Sequence, residues 1–272
     1  MATGRKAEDE GGTSFDTSVP HIARVYDYWL GGKDNYAADR AAAEQVIATM
    51  PDVLLSVRAQ RAFLGRVVHY LVMEAGIRQF LDIGTGLPAA NNTHQVAQRA
   101  APDSRVVYVD NDPIVLAHAR ALLASGPDGA TAYIDADLRD TGTILAGAAE
   151  LLDFSQPVAV MLLGVLHCIP DEDAPAAILA RLLDAVAPGS YLAISHPASD
   201  VATDQMAQSM RDYNRQGGSP LMARSHAEVS RFFGGLDLME PGVVQLHRWR
   251  PGTDNVGQGR ELPNYGGLGR KP

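Results

Sequence analysis

The sequence has few of the features that would place it outside the cell, in a membrane or on nucleic acid. Cys168 is the only cysteine among 272 residues, so no intrachain disulfide can form and nothing points to an oxidising compartment. No stretch reaches the roughly 18 consecutive apolar residues that a membrane helix needs, and the N-terminus lacks a signal-type apolar segment. We therefore expect a soluble cytoplasmic protein with no membrane partner.

Basic residues are also too few and too scattered for a nucleic-acid binder. The net charge is −9, and no run of Lys or Arg occurs. Nucleic-acid-binding proteins normally carry clustered basic residues, so we expect no nucleic-acid partner. No local group of acids and histidines has metal-ligand spacing either, so no metal is expected.

Two apolar segments, residues 79–86 and 106–112, form the centre of the sequence. The first (QFLDIGTG) ends in Gly84 and Gly86, a helix-length segment follows, and the second (VVYVDND) contains Asp110 at its end. This order is typical of a βαβ unit with a nucleotide-type site at its mouth. Glycines there allow positive φ and leave bare backbone for a ligand. They also satisfy a relaxed dinucleotide pattern, so alone they do not choose a cofactor.

Three successive strand-like segments each deliver one acid to the same edge of the predicted sheet. Asp82 lies in the first strand, Asp110 ends the second, and Asp137 follows the third. Such a rim would repel a ligand with two phosphates. S-adenosylmethionine carries a sulfonium and an ammonium and no phosphate, so the acids favour it over a nicotinamide dinucleotide.

These motifs resemble those of a known enzyme class. Asp82-Ile83-Gly84-Thr85-Gly86 is similar to the first motif of class I S-adenosylmethionine-dependent methyltransferases, with Asp110 as the ribose acid and Asp137-Leu138 flanking the adenine. More narrowly, residues 23–36 (ARVYDYWLGGKDNY) and 82–88 (DIGTGLP) resemble an actinobacterial methyltransferase-like family long classed only as a domain of unknown function. The resemblance implies S-adenosyl-L-methionine as cofactor and leaves the methyl acceptor open.

The resemblance, together with the positions of the motifs, indicates which residues are expected to form the cofactor site. Its residues are Asp82, Gly84, Thr85, Gly86, Asp110, Asn111, Asp137, Leu138, Gly164, Tyr28 and Arg58. Arg58 and the neighbouring Arg61 lie early in a predicted helix, where one of them could pair with the ligand's carboxylate or form a surface salt bridge.

The expected fold is an α/β, Rossmann-like methyltransferase sheet of seven mostly parallel strands with a terminal antiparallel hairpin, helices on both faces and an N-terminal helical cap. Residues 1–18 are polar and without apolar period, so we expect disorder. Residues 19–76 are assigned to the cap and the first sheet-packing helix, 77–250 to the cofactor-binding core, and 251–272 to a C-terminal tail of loop. The hairpin is placed at 236–239 and 243–249. The polar face of the cap helix with Tyr28, together with the turn at 31–36, either forms a lid over the cofactor or is an ordinary solvated helix face.

Methyl transfer is an in-line displacement, so the enzyme mainly aligns the reactants and excludes water, and needs a base only if the acceptor loses a proton. The segment 163–171 (LGVLHCIPD) lacks the Asn/Asp-Pro-Pro-aromatic signature of methylases acting on amide or exocyclic amino nitrogens and looks like that of small-molecule methyltransferases. His167 and His196 follow the fourth and fifth predicted strands and are candidate bases. Each could instead hydrogen-bond only a loop.

Three functions stay open from the sequence. The first is a methyltransferase acting on a small-molecule acceptor. The second is a protein that binds S-adenosylmethionine or S-adenosylhomocysteine without catalysis. The third is a nicotinamide-linked oxidoreductase.

Overall fold

The computed structural model describes residues 6–8, 14–122, 129–218, 220–252 and 256–272. The helices are α1 (Ile22–Trp29), α2 (Ala37–Thr49), α3 (Val53–Met73), α4 (Thr93–Ala100), α5 (Pro113–Leu122), α6 (Thr141–Ala148), α7 (Pro175–Asp184), α8 (Thr203–Asn214) and α9 (His226–Arg231). The strands are β1 (Lys6–Glu8), β2 (Ser14–Asp16), β3 (Gln79–Ile83), β4 (Arg105–Asp110), β5 (Ala130–Asp135), β6 (Ala159–Leu163), β7 (Tyr191–Pro197), β8 (Asp237–Leu238), β9 (Val244–Gln245) and β10 (Asn264–Arg270).

Within these described residues, eight strands form one sheet in the order β5-β4-β3-β6-β7-β10-β8, with β9 also paired to β10. The pairs from β5 to β7 are parallel, and β10 runs antiparallel to β7, β8 and β9. The expected parallel sheet with an antiparallel end is confirmed. The strand order reverses between β3 and β6, and ligands bind at such a reversal, beyond the carboxyl ends of the strands.

The sheet is covered on both faces because its central strands are apolar on both sides. All five residues of β6 are buried. Ala159, Met161 and Leu163 belong to the core beneath α3, whereas Val160 and Leu162 belong to the core on the opposite face. This alternation is the two-residue period of a strand, and it buries side chains on both faces of the sheet.

The antiparallel end corrects the sequence interpretation of the C-terminal tail. Residues 251–272 were expected to be a tail of loop, but Asn264–Arg270 form β10, which pairs along all of β7. The glycines that suggested a loop make room for aromatic rings: a Cβ at Gly266 would lie 2.7 Å from Phe63, and one at Gly269 would lie 2.9 Å from Phe233. The two runs expected to form a hairpin become β8 and β9, which each pair with β10.

The N-terminal segment also differs from expectation. Residues 1–18 were expected to be disordered, but β1 and β2 pair antiparallel. A two-stranded ladder satisfies backbone groups without an apolar period, so composition did not reveal it. Residues 1–5 and 9–13 of this segment lie outside the described residues.

Helices α1, α2 and α8 form a cap beside the sheet. Helix α2 packs on both α1 and α8. Val25, Ala42 and Tyr213, one from each helix, share a small buried core, and a buried ion pair between Arg24 Nε and Asp39 Oδ1 at 3.2 Å joins α1 to α2. The cap is therefore built from residues almost 200 positions apart. Within the described residues, no helix is long and apolar enough to cross a membrane.

Candidate functional site

A cavity of about 520 Å³ lies between the carboxyl ends of β3 to β6 and the cap. Cavities of about 300–1,000 Å³ are the size of small-molecule sites. The cavity wall includes most of the residues selected from the sequence, namely Asp82, Gly84, Thr85, Gly86, Asp110, Asn111, Asp137, Leu138, Gly164 and His167. It does not include Tyr28, Arg58 or His196.

The glycine turn after β3 has the conformation that the sequence predicts. Gly84 and Gly86 have φ of +73° and +63°, a region that side chains disfavour. A Cβ at Gly84 would lie 2.4 Å from Val165, so this glycine is required by the approach of the chain after β6. At Gly86 the nearest atom to such a Cβ is that of Ala23 at 3.9 Å, so its backbone is open to the cavity.

Asp110 organises this turn from the end of β4. Its Oδ2 accepts a hydrogen bond from the Gly86 N–H at 2.7 Å, and its Oδ1 accepts one from the Asp112 N–H at 3.0 Å. Burial raises the pKa of this carboxyl, against the effect of the two backbone donors. A carboxylate has about four acceptor positions, so two are left for a ligand such as a diol.

Asp82 is the second buried acid of the cavity. It is 6% exposed, and its Oδ2 accepts a hydrogen bond from the Thr93 hydroxyl at 2.6 Å. Burial raises its pKa to about 6, opposed by the Thr93 hydrogen bond and the charge of Arg61 and increased by Asp110. The site therefore holds a desolvated carboxylate suited to a cationic group.

Asp137 supplies the third acid, at a more open position after β5. Its Oδ2 accepts from Asn111 Nδ2 at 3.1 Å, and both its oxygens lie 3.0 Å from Arg139 Nη1. Leu138 beside it is buried and apolar. Thr85 also lines the cavity, and its hydroxyl lies 3.4 Å from that of Tyr133. The part of the cavity at Thr85, Asp137 and Leu138 therefore combines an apolar surface with polar atoms, which suits a flat heteroaromatic ring.

The arginine prediction needs correction, because Arg58 is exposed and away from the cavity whereas Arg61 lines it. Helix α3 presents one stripe to the cavity, at the spacing of a helix face: Val53, Ser56, Val57, Gln60, Arg61 and Leu64. Arg58 falls outside this stripe. Arg61 Nη2 donates to the carbonyls of Ala90 and Asn91, both at 2.9 Å, which holds the guanidinium beside the glycine turn.

Tyr28 is likewise outside the cavity. Its hydroxyl donates to Glu44 of α2, so it joins two cap helices. The cavity face of α1 instead carries Tyr26 and Asp27. Tyr26 donates to the Val57 carbonyl at 3.2 Å, and Asp27 accepts from the backbone N–H of Asp34 at 3.0 Å.

His196 is a buried structural residue and not a free base. Its Nδ1 lies 2.9 Å from the Pro197 carbonyl, which places the proton there, and its Nε2 accepts from Arg224 Nη1 at 2.9 Å. Burial lowers the pKa of His196 to about 3. Arg224 also donates to the carbonyls of Leu166 and Ile169, at 3.0 and 2.8 Å. This network fixes the 3₁₀ turn after β6 that carries His167.

His167 is the histidine that reaches the cavity. It is 8% exposed, and its Nδ1 is buried with no hydrogen-bond partner within the described residues. Burial, helped by the nearby charge of Arg224, lowers the pKa of His167 to about 4, so its ring is neutral at pH 7. A neutral imidazole offers one donor and one acceptor nitrogen to a bound molecule.

The cap wall was largely missed by sequence reasoning. Its members are apolar or hydroxylic and come from three helices and one loop: Val46, Met50, Val53, Ser56, Val57, Met206, Ser209, Met210, Tyr213 and Leu221. The i, i+3, i+4 spacing within α3 could have revealed its part, but no local signal joins α2 to α8. Among the described residues, no group of three or more His, Cys, Asp or Glu side chains could hold a metal ion.

The whole chain is similar to proteins of one family. A model of the family described as S-adenosyl methyltransferase matches residues 8–272. The chain is 44% identical to a DUF574 family protein from Streptomyces avermitilis, with a TM-score of 0.91 over 94% of this chain and 99% of that one. It is 43% identical to a proposed methyltransferase from Thermobifida fusca, with a TM-score of 0.85 over 93% and 96% of the two chains. No curated protein matches the chain.

Proposed function

The chain belongs to the S-adenosyl methyltransferase family, with S-adenosyl-L-methionine as its cofactor, and we propose that it methylates a small molecule bound in the cavity under the cap. The family and cofactor expected from the sequence are confirmed. The family match also decides between the cofactors that the glycine pattern left open, because it favours an S-adenosylmethionine-dependent enzyme over a nicotinamide-linked one.

The residues of the sheet edge fit the cofactor. Gly86 leaves the backbone open at the cavity, and Asp110 retains acceptor capacity for the two ribose hydroxyls. Asp82 offers a buried carboxylate to the ammonium group, and Arg61 a guanidinium to the carboxylate. The apolar and polar corner at Leu138 suits the adenine. When bound, S-adenosylmethionine supplies an electrophilic methyl group on a sulfonium.

One observation carries the proposal of a small acceptor: the strand-end acids and the apolar cap wall line the same cavity of about 520 Å³. The sheet edge accounts for a cofactor, and the cap wall leaves a second, mostly apolar surface beside it. Such a surface excludes water from the reacting atoms and aligns an acceptor, which is what methyl transfer needs from the protein. His167 is the candidate group for the acceptor's hydrogen-bonding atom, while His196 is withdrawn as a base because both its nitrogens are engaged.

The proposal can be tested by following a labelled methyl group. S-adenosylmethionine with a deuterated methyl is incubated with the enzyme and with small-molecule, protein and nucleic-acid fractions of an extract from the source cells. We expect mass-shifted products in the small-molecule fraction only. The Asp110→Ala variant, assayed in parallel, should give much less product.

Label in the protein or nucleic-acid fraction would contradict the proposal. Calorimetric titration with S-adenosylmethionine, S-adenosylhomocysteine and NAD(H) should show binding of the first two only. The exclusion of nucleic acid and the cytoplasmic location stay predictions from the sequence.

A further inference from the structure

Buried polar atoms without partners mark one part of the cavity. Buried side-chain polar atoms in proteins are nearly always hydrogen-bonded. Within the described residues, Ser56 Oγ and His167 Nδ1 are buried without a partner, and both residues line the cavity. The two side chains belong to residues that are only 4% and 8% exposed. Each of these two lining residues therefore has an unused hydrogen-bonding atom beside the cavity.

The other unpartnered buried atoms lie elsewhere. Ser195 Oγ, His247 Nδ1 and Trp249 Nε1 are also without partners, but their residues do not line the cavity. His21 Nδ1 and Asp112 Oδ2 lie 2.8 Å from each other. Ser56 and His167 are thus the residues with unpartnered buried atoms that also line the cavity, among those the structure describes, and the chain supplies matched residues of the same types away from it.

The cap side of the cavity is lined by side chains that carry no ionised group. Among the described residues that line the cavity, those of α2, of α8 and of positions 53–57 in α3 are aliphatic, thioether, hydroxyl or phenol side chains. The charged side chains of the cavity come from α1, from later in α3, from β3 and β4 and from the turn after β5: Asp27, Arg61, Asp82, Asp110, Asp137 and Arg139. Most of these belong to the proposed cofactor surface. A charged acceptor would therefore lose its hydration at the cap wall without gaining a counter-charge.

Three methionines give this wall its shape. Met50, directly after α2, and Met206 and Met210 of α8 line the cavity. Methionine is flexible and polarisable and makes favourable contacts with aromatic rings. Trp29 and Tyr213 add two aromatic side chains to the same lining. Such a surface suits a flat apolar molecule better than a sugar or a peptide.

We propose that the cap side of the cavity binds an uncharged, aromatic methyl acceptor that carries a hydroxyl group, and that Ser56 and His167 hydrogen-bond the acceptor's polar group. A hydroxyl can donate to one of these side chains and accept from the other. The inference rests on the proposed function, because it names the substrate class of the same cavity. It adds two specificity-determining residues that the cofactor does not require.

The test measures binding of simple probes to the enzyme saturated with S-adenosylhomocysteine. Calorimetry compares 2-naphthol, which has an aromatic body and a hydroxyl, with naphthalene, which lacks the hydroxyl, and with 2-naphthoate, which is charged. We expect 2-naphthol to bind, naphthalene to bind roughly tenfold more weakly, and 2-naphthoate more weakly still.

Variants then assign the effect to the two side chains. Ser56→Ala and His167→Leu should each lower the affinity for 2-naphthol roughly tenfold and leave the affinity for S-adenosylhomocysteine unchanged. His167→Asn, whose side-chain oxygen can replace Nδ1 as an acceptor, should recover part of the loss. Ser195→Ala and His247→Leu are the matched controls and should leave 2-naphthol binding unchanged.

The outcomes separate this inference from the proposed function. If S-adenosylhomocysteine binds but 2-naphthol does not, or if 2-naphthoate binds as tightly as 2-naphthol, the acceptor class is wrong while the cofactor site stands. If the control variants lose as much affinity as Ser56→Ala and His167→Leu, the two residues do not determine specificity. Failure of S-adenosylhomocysteine itself to bind would instead contradict the proposed function.

Discussion

Replacing Asp82 with asparagine should make the protein more stable and a poorer cofactor binder. Asp82 is buried, and burial is the largest influence on its pKa, which rises from 3.8 to about 6. Asparagine has the same shape and keeps an oxygen that can accept the hydrogen bond from the Thr93 hydroxyl, now at 2.6 Å. The substitution therefore removes the ionisation and replaces one carboxylate oxygen with an NH₂ group.

The size and sign of the stability effect follow from the two pKa values. The unfolded chain loses the Asp82 proton near pH 3.8, whereas the folded protein keeps it until about pH 6. Between these values the folded state binds more protons, so the free energy of unfolding falls as pH rises and stays lower above pH 6. Ionisation of the Asp82 carboxyl thus lowers the free energy of unfolding at pH 7 by about 3 kcal/mol relative to a side chain that does not ionise.

Urea denaturation followed by circular dichroism, from pH 4 to pH 8, measures this effect. We expect the free energy of unfolding of Asp82→Asn to exceed that of the wild type by up to about 3 kcal/mol at pH 7 and to match it near pH 4. Its affinity for S-adenosylmethionine should fall roughly 10- to 150-fold, the cost of losing a charged hydrogen-bond acceptor. Asp140→Asn is the control, because Asp140 is an exposed cap of α6 whose pKa is lowered by its hydrogen bonds to Thr143.

Two results would refute the reasoning. A variant no more stable than the wild type at pH 7, with the same pH profile, would mean that burial does not destabilise the carboxylate. An unchanged dissociation constant for S-adenosylmethionine would remove Asp82 from the cofactor site.

Further predictions concern the other parts of the site. Asp110→Ala should weaken S-adenosylmethionine roughly 10- to 150-fold in calorimetry and lower stability, since the N–H of Gly86 loses its acceptor; an unchanged dissociation constant would exclude it from the site. Arg61→Ala should weaken S-adenosylmethionine roughly tenfold, whereas Arg58→Ala, the matched control on the same helix, should not; equal effects would contradict the assignment. If the cap closes over the cofactor, hydrogen exchange across residues 23–36 should slow when S-adenosylhomocysteine binds. Equal exchange in both states would mean that the cap is a fixed wall of the cavity and does not close.

The fold could be predicted where the signal is local. Strand and helix periods are properties of neighbouring residues, so the alternation that builds β3 to β7 was readable. The strand in the C-terminal tail could not be predicted in this way, because its signal is not local. The glycines of β10 were interpreted as loop because the rings of Phe63 and Phe233, which occupy the space of the missing side chains, lie far away in the sequence.

The candidate site divides in the same way. The sequence alone determined the glycine turn, the strand-end acids and the family, because motif residues lie within a few positions of a strand end, where successive βαβ units position them. Only the tertiary structure decided that Arg61 faces the cavity and Arg58 does not. It also decided that His196 is held by Arg224, whereas His167 lines the cavity and its Nδ1 has no hydrogen-bond partner among the described residues. These outcomes depend on burial and on partners contributed by distant segments, since packing brings α2, α3 and α8 together although nothing in their separate sequences indicates which side chains will meet.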